Sequence, residues 1–185
     1  MLIFATQNPN KTKEIRKILP HWEIKSLDDL NDKDDVEETG NTFRENAFLK
    51  AKYFFNKYQH PVISEDSGLC VPSLNMEPGI YSARYSGEKN DKKNIEKLIR
   101  KLNGQSADAF FMTVICLIQN VEPHYFEGKI HGKIITEARG EKGFGYDPIF
   151  VPHGYEKTFA QIGAEEKNKI SHRALALEKL IEFLS

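Results

Sequence analysis

At 185 residues, 39% of them hydrophobic and 29% charged, the chain is long enough to bury a sizeable core and too apolar for a disordered tail protein. Twenty-six Lys and Arg are matched by twenty-seven Asp and Glu, so no overall field draws the chain onto nucleic acid or an anionic membrane, and a polyanionic ligand needs a local basic pocket. The longest apolar stretch, Ala109 to Ile118, is interrupted by Thr113 and falls short of the roughly 18 to 20 residues that a membrane span needs. Met1 to Ala5 are apolar but lack a basic flank and are too short for a signal peptide, so the expected location is the cytoplasm. Cys70 and Cys116 show no C-x-x-C spacing and sit in apolar surroundings, as small core hydrophobes do, which argues against a disulfide framework or a zinc site.

No repeat or linker divides the sequence, and one domain over residues 1–185 is expected, with the acidic stretch Asp28 to Glu38 as a loop or short edge. Leu2 to Ala5 predicts a short buried strand, followed by a polar loop and a helix opened by Asn8-Pro9. Thr42 and Glu45 have capping-box spacing, and Phe43, Ala47, Ala51, Phe54, Phe55 and Tyr58 then recur at helical intervals until Pro61. Pro61 to Ser64 enters a second strand, with Glu65-Asp66-Ser67-Gly68 expected at its end. Asn90 or Asp91 can cap a helix with Ile95, Leu98, Ile99 and Leu102 on one face, ended by Asn103-Gly104. Ala109 to Ile118 and Tyr125 to Thr136 predict antiparallel strands about a turn at Asn120 to Pro123. Ser171 can cap a last helix striped by Ala174, Leu177, Leu180, Ile181 and Leu184, and the element order is that of a mixed α/β protein.

Polar clusters stand where chemistry is usually done. Thr6-Gln7-Asn8-Pro9-Asn10-Lys11 lies between a strand and a helix start, where unpaired N–H groups and the helix dipole favour an anion. Asn-Pro-Asn is also an ordinary helix-starting turn, and the Walker pattern is absent. Adjacent residues on an extended chain point to opposite faces, so of Glu65 and Asp66 at most one is expected to face a given ligand, and Asp66, beside Ser67-Gly68, is the candidate. A simple Asp-Ser-Gly turn is the competing reading. Glu37-Glu38 forms a second acidic pair before the capped helix, a position where solvated loop charges are common. Gly143-Phe144-Gly145-Tyr146-Asp147-Pro148 can bring backbone and an aromatic face against a planar ring, or simply turn a hairpin corner. Lys167 and His172-Arg173 place cations around a helix start, which an anion or ligand carbonyl would relieve; Lys167 can equally belong to a solvated face.

In order, these segments resemble the inosine triphosphate pyrophosphatase family, whose substrates are non-standard purine nucleoside triphosphates. The resemblance covers nearly the whole chain. Thr6 to Lys11 matches T-G-N-x-x-K except for Gln7, and Glu37 to Ala51 matches the E-E-T-G-x-T-F-x-E-N-A-x-L-K-A stretch. Glu65 to Val71 matches D-D-S-G-L-x-V with Glu65 in place of Asp, and Pro78 to Tyr85 fits P-G-x-x-S-A-R-Y. Gly143 to Phe150 and Ile170 to Ala174 complete the set.

The resemblance implies an α/β fold with a central mixed sheet flanked by helices, two lobes around a substrate cleft, and a homodimer. It implies hydrolysis of inosine, deoxyinosine and xanthosine triphosphates to the monophosphate and pyrophosphate, with no nucleic-acid or membrane partner. Glu38 and Asp66 would hold Mg²⁺, and Asp66 would also serve as the catalytic base. Thr6, Gln7, Asn8, Pro9, Asn10, Lys11, Lys50 and Ser67 would hold phosphates. Phe144 would stack on the purine, its loop neighbours Gly145 and Tyr146 would also bind the substrate, and Asp147, Lys167, His172 and Arg173 would meet sugar, phosphate or base edge. A regulatory nucleotide-binding module would keep such a pocket without turnover, and a pyrophosphatase of the Maf-like type would prefer pyrimidine or modified nucleotides.

Overall fold

The structure, a computed structural model, describes residues 1–185. Strand β1 (Leu2–Phe4) is wholly buried, and α1 (Pro9–Ile18) begins where the Asn8 side chain accepts from the Asn10 and Lys11 N–H groups. Proline at the first helical position costs nothing there, because that N–H has no partner in any helix. Helix α2 (Phe43–Tyr58) is capped by Thr42, which accepts from Glu45 N–H, and stops at Gln59 in the left-handed region. The Glu45 carboxylate returns to Asn41 N–H, one residue earlier than in a standard capping box. Helix α3 (Asp91–Lys101) is capped by Asn90. Strands β4 (Ala107–Gln119) and β5 (Glu122–Ile134) are joined by Asn120-Val121, both at positive φ, as a two-residue type I′ hairpin turn requires. Strand β6 (Phe150–Pro152), α4 (Phe159–Ile162), α5 (Ala164–Ile170) and α6 (His172–Leu184) complete the chain.

Two elements correct the sequence reading. Ile24–Ser26 forms β2, a three-residue strand too short to show a period. Strand β3 spans Val62–Cys70, so Glu65-Asp66-Ser67-Gly68 lies inside the strand and neither ends it nor forms a turn. The strand continues because Leu69, Cys70 and Val71 are core residues, and the buried carboxylates find partners on other elements.

The six strands form one mixed sheet in the order β2-β1-β3-β4-β5-β6, with β1 parallel to both β2 and β3, and β5 antiparallel to β6. The chain folds into two compact units, one of residues 1–66, 113–128 and 174–185, the other of residues 67–112 and 129–173. In the first unit, Leu2, Phe4, Ile15, Leu19, Ile63, Ile115 and Leu117 pack with the α6 stripe of Ala176, Leu177 and Leu180. A second cluster there joins Ile3, Val62 and Cys116 to Ala47, Ala51 and Phe54 of α2. In the second unit, Leu69, Leu98, Phe111, Tyr146, Phe150 and Phe159 make the core. Cys70 and Cys116 are free and buried, and burial pushes their thiols up to about 11 and about 12. Both are core residues with little thiolate character.

Candidate active site

In the first unit, three elements bring charge together around β3. Asn46 and Lys50 are four residues apart, so one turn of α2 presents an amide and an ammonium on the same face. The small side chains of Ala47 and Ala51 let that helix lie close to the strand, where Ser64 Oγ donates to the Ala47 carbonyl. Lys50 Nζ donates to Glu38 Oε1 at 2.7 Å and to the Glu65 carbonyl at 2.7 Å. Lys11, on the first turn of α1, pairs with Glu65 Oε1 at 2.9 Å. Asn46, 1% exposed, donates from Nδ2 to Asp66 Oδ2 at 3.0 Å and accepts from Gly40 N–H at 2.9 Å. Glycine at position 40 is required by close approach, since a Cβ there would lie 2.7 Å from Asn46 Oδ1.

Glu65 and Asp66 are both buried but meet different elements, Glu65 the α1 lysine and Asp66 the α2 amide. Burial pushes the Asp66 carboxyl above the ordinary aspartate range; Lys50 opposes this, Glu38 reinforces it, and Lys11 and Asn46 pull back. The loop before α1 is ordered by its own side chains: Thr6 Oγ1 accepts from Asn8 N–H, and Asn8 caps the helix. Gln7, standing where the motif has glycine, donates to the Asp34 carbonyl at 3.0 Å, which ties this loop to the acidic stretch. Pro9 and Asn10 form the exposed start of α1.

The second unit gathers the aromatic loop and the C-terminal cations. Asp147 Oδ2 accepts from Phe144 N–H at 3.0 Å and from Lys167 Nζ at 2.7 Å. Gly143 sits at φ +83, and any Cβ there would collide with that carboxylate. Gly145 N–H donates to Asp91 Oδ2 at 2.7 Å. Tyr146 is a core residue whose hydroxyl donates to the Ser82 carbonyl, so it anchors the loop from below. Phe144 stays half-buried, with Lys167 Nζ 4.6 Å and Arg173 Cζ 5.9 Å from its ring centre. Arg173, 1% exposed, also approaches Ser67 Oγ at 3.4 Å, and the His172 ring stacks on Phe111 at 4.8 Å.

A solvated-face reading of Lys167 is overturned. It is 4% exposed and lies within α5, away from a helix start; the Asp147 carboxylate and the Phe144 ring accommodate its charge. His172-Arg173 do open α6. Sequence reasoning passed over Asn46 and Asp91. Asn46 falls on the buried side of an amphipathic helix, where a polar residue signals a partner, whereas Asp91 carries no signal beyond helix capping.

The donor set of the first unit suits a hard dication. Two carboxylates, Glu38 and Asp66, are near enough for one to raise the pKa of the other, and a divalent cation with a preference for oxygen relieves such repulsion. No cluster of three or more His, Cys, Asp or Glu side chains forms a complete cage.

The family model described as the Ham1 family matches residues 2–183. A protein from Christiangramia forsetii named dITP/XTP pyrophosphatase is 50% identical over 187 residues, covering 100% of this chain and 98% of its own length. One of the same name from Porphyromonas gingivalis is 48% identical, covering 99% of this chain and 96% of its own. The solved structure of the Staphylococcus aureus Ham1 protein superposes with a TM-score of 0.89 at 44% identity, covering 99% of this chain and 97% of that one.

Proposed function

Because the chain belongs to the Ham1 family, we propose that it hydrolyses inosine, deoxyinosine and xanthosine triphosphates to the monophosphate and pyrophosphate. The observation that carries this reading is the cluster around β3, where the ammonium groups of Lys11 and Lys50 meet the buried carboxylates of Glu65 and Asp66 and the partly exposed carboxylate of Glu38. Such mixed charge suits a strongly anionic substrate handled together with a cation. In the reaction, a water oxygen bonds to the α-phosphorus, the bond to the α–β bridging oxygen breaks, and pyrophosphate leaves. Asp66 accepts the water proton; its raised pKa moves it toward the range where a carboxylate is a useful base, and Asn46 fixes one of its oxygens. Bound Mg²⁺ would polarise phosphate oxygens and acidify water, with Glu38 and Asp66 as its protein ligands.

Lys11, Lys50, Ser67 and the loop Thr6 to Asn10 would hold phosphate oxygens. Phe144 offers a stacking face to the purine, and His172 and Arg173 donate to the 6-oxo group. Adenine presents an amino donor at that position, and a mismatched buried donor costs about 1–3 kcal/mol. Lys167 and Asp147 hold the aromatic loop and meet the base edge or sugar. Residues 1–185 act as one catalytic domain, in a cytoplasmic homodimer; no helix is long and apolar enough to cross a membrane.

Pyrophosphate release from inosine, xanthosine, adenosine, guanosine, cytidine and uridine triphosphates, with Mg²⁺ and with excess chelator, tests this reading. Mg²⁺-dependent release that favours inosine and xanthosine is expected. Nucleotide binding without turnover would indicate a regulatory module, and a pyrimidine preference the Maf-like alternative.

A further inference from the structure

The aromatic loop is held by two carboxylates from different parts of the second unit. Phe144 N–H donates to Asp147 Oδ2 at 3.0 Å, and the next N–H, of Gly145, donates to Asp91 Oδ2 at 2.7 Å. Asp147 is buried and shares its oxygen with Lys167, whereas Asp91 stands exposed on the first turn of α3, fifty-four residues away in sequence. Gly145 itself is at φ +62, a conformation with little intrinsic restraint in glycine. With Gly143 and Gly145, both at positive φ, on either side of Phe144, the half-buried ring sits between two residues whose own side chains do nothing to hold it, whereas Tyr146 beyond them is fixed in the core.

We propose that Asp91 is a positioning residue for the purine subsite: its hydrogen bond to Gly145 N–H fixes the plane of Phe144 before the base arrives. The inference rests on the proposed purine-stacking role of Phe144. An ordered ring loses less conformational freedom on binding, so the tether strengthens base stacking without touching the substrate. It also commits the Gly145 N–H to Asp91, leaving selection of the 6-oxo group to side chains. Among the residues holding the loop, Asp91 is the exposed one and is replaceable without opening the core.

Three measurements on the parent, Asp91→Ala and Asp91→Asn proteins test this. Hydrogen exchange reports the Gly145 amide, calorimetry the affinity for inosine monophosphate, and steady-state kinetics the hydrolysis of inosine triphosphate. Asn keeps an oxygen acceptor, and Ala does not. Expected for Asp91→Ala are faster exchange at Gly145, an inosine monophosphate Kd raised about five- to thirtyfold, and a raised KM with kcat little changed. Inhibition by inorganic triphosphate, which has no base, should stay at the parent value, and Asp91→Asn should restore most of the affinity. An Ala variant that binds inosine monophosphate like the parent overturns the inference, whatever the exchange result. A parent that binds this nucleotide but does not hydrolyse the triphosphate overturns the proposed activity alone, and a parent that binds no purine nucleotide overturns both.

Discussion

Asn46 Nδ2 donates to Asp66 Oδ2 at 3.0 Å, and both side chains are almost sealed from water. Through its carbonyl oxygen, Asn46 also holds Gly40 N–H, two residues after Glu38. One amide therefore ties the loop carrying Glu38 to the strand carrying Asp66. Truncating it to Ala removes one buried and one part-buried hydrogen bond and leaves the Gly40 N–H without its acceptor, at a cost of about 2–3 kcal/mol. Urea unfolding measures this cost. The acid limb of kcat/KM should move to higher pH, because a donor that lowers the Asp66 pKa is gone; a limb that stays in place would separate Asn46 from the chemistry.

Asp66→Asn should abolish hydrolysis without harming the fold. The folded-state pKa of Asp66 is raised by burial, so the native chain binds that proton more tightly than the unfolded chain. Stability then falls as pH rises from about 3.9 through the folded value, and at neutral pH the ionised carboxylate is a net cost. Without divalent cation at pH 7.5, the variant should melt at or above the parent temperature. Turnover within about tenfold of the parent would remove Asp66 from the mechanism.

Lys11→Met and Lys50→Met should both raise KM and lower kcat, as contacts that strengthen with transition-state charge do. Their stabilities should differ. Lys11 pairs with Glu65, whose side chain is 2% exposed, so removing that cation costs about 3–5 kcal/mol. Glu38, the partner of Lys50, is more open to solvent, and the loss there should be smaller. Calorimetric melting of the two variants gives the comparison.

Asp32 anchors the acidic stretch to α2 through Lys57 Nζ at 2.7 Å and through the Tyr58 hydroxyl. Burial pushes its pKa up, but hydrogen bonds from Lys57, Tyr58 and Asp34 N–H outweigh this and bring it to about 2. A lowered pKa contributes stability above the unfolded value of about 3.9, and this is lost as pH falls toward 2. Asp32→Asn should flatten the loss of stability between pH 4 and pH 2, which thermal melts across that range would show.

What the sequence made legible was local. Asn8, Thr42 and Asn90 cap the helices that their spacing predicts, and the α6 stripe packs as its period requires. Cysteine inertness followed from apolar surroundings in the same way. Partners distant along the chain were not legible. Three polar residues followed by a glycine are costly to bury and read as a strand end at Glu65 to Gly68, but Lys11 and Asn46, 54 and 20 residues upstream, meet the two carboxylates. Lys167 was open to a solvated reading for the same reason, its carboxylate lying 20 residues away. Family resemblance singled out Glu38, Lys50 and Phe144, whose roles no spacing rule assigns, and passed over Asn46 and Asp91, which act through other residues.

Base choice should separate stacking from donation. Phe144→Ala should weaken all purine substrates by a similar factor, about 1–3 kcal/mol, because every purine has a π-face. Arg173→Ala and His172→Ala should instead erode the advantage of inosine over adenosine triphosphate. Values of kcat/KM for inosine, guanosine and adenosine triphosphates in the three variants decide this; an unchanged inosine-to-adenosine ratio in both donor variants would move base choice elsewhere.

A chain that cleaves deaminated purine triphosphates between the α and β phosphates should spare the adenine form. One competition measures it: equimolar deoxyinosine and deoxyadenosine triphosphates in one tube with Mg²⁺, the products followed by ³¹P NMR and chromatography. Deoxyinosine monophosphate and pyrophosphate should accumulate while deoxyadenosine triphosphate persists. Equal consumption of both nucleotides, or release of orthophosphate with a nucleoside diphosphate, would contradict it.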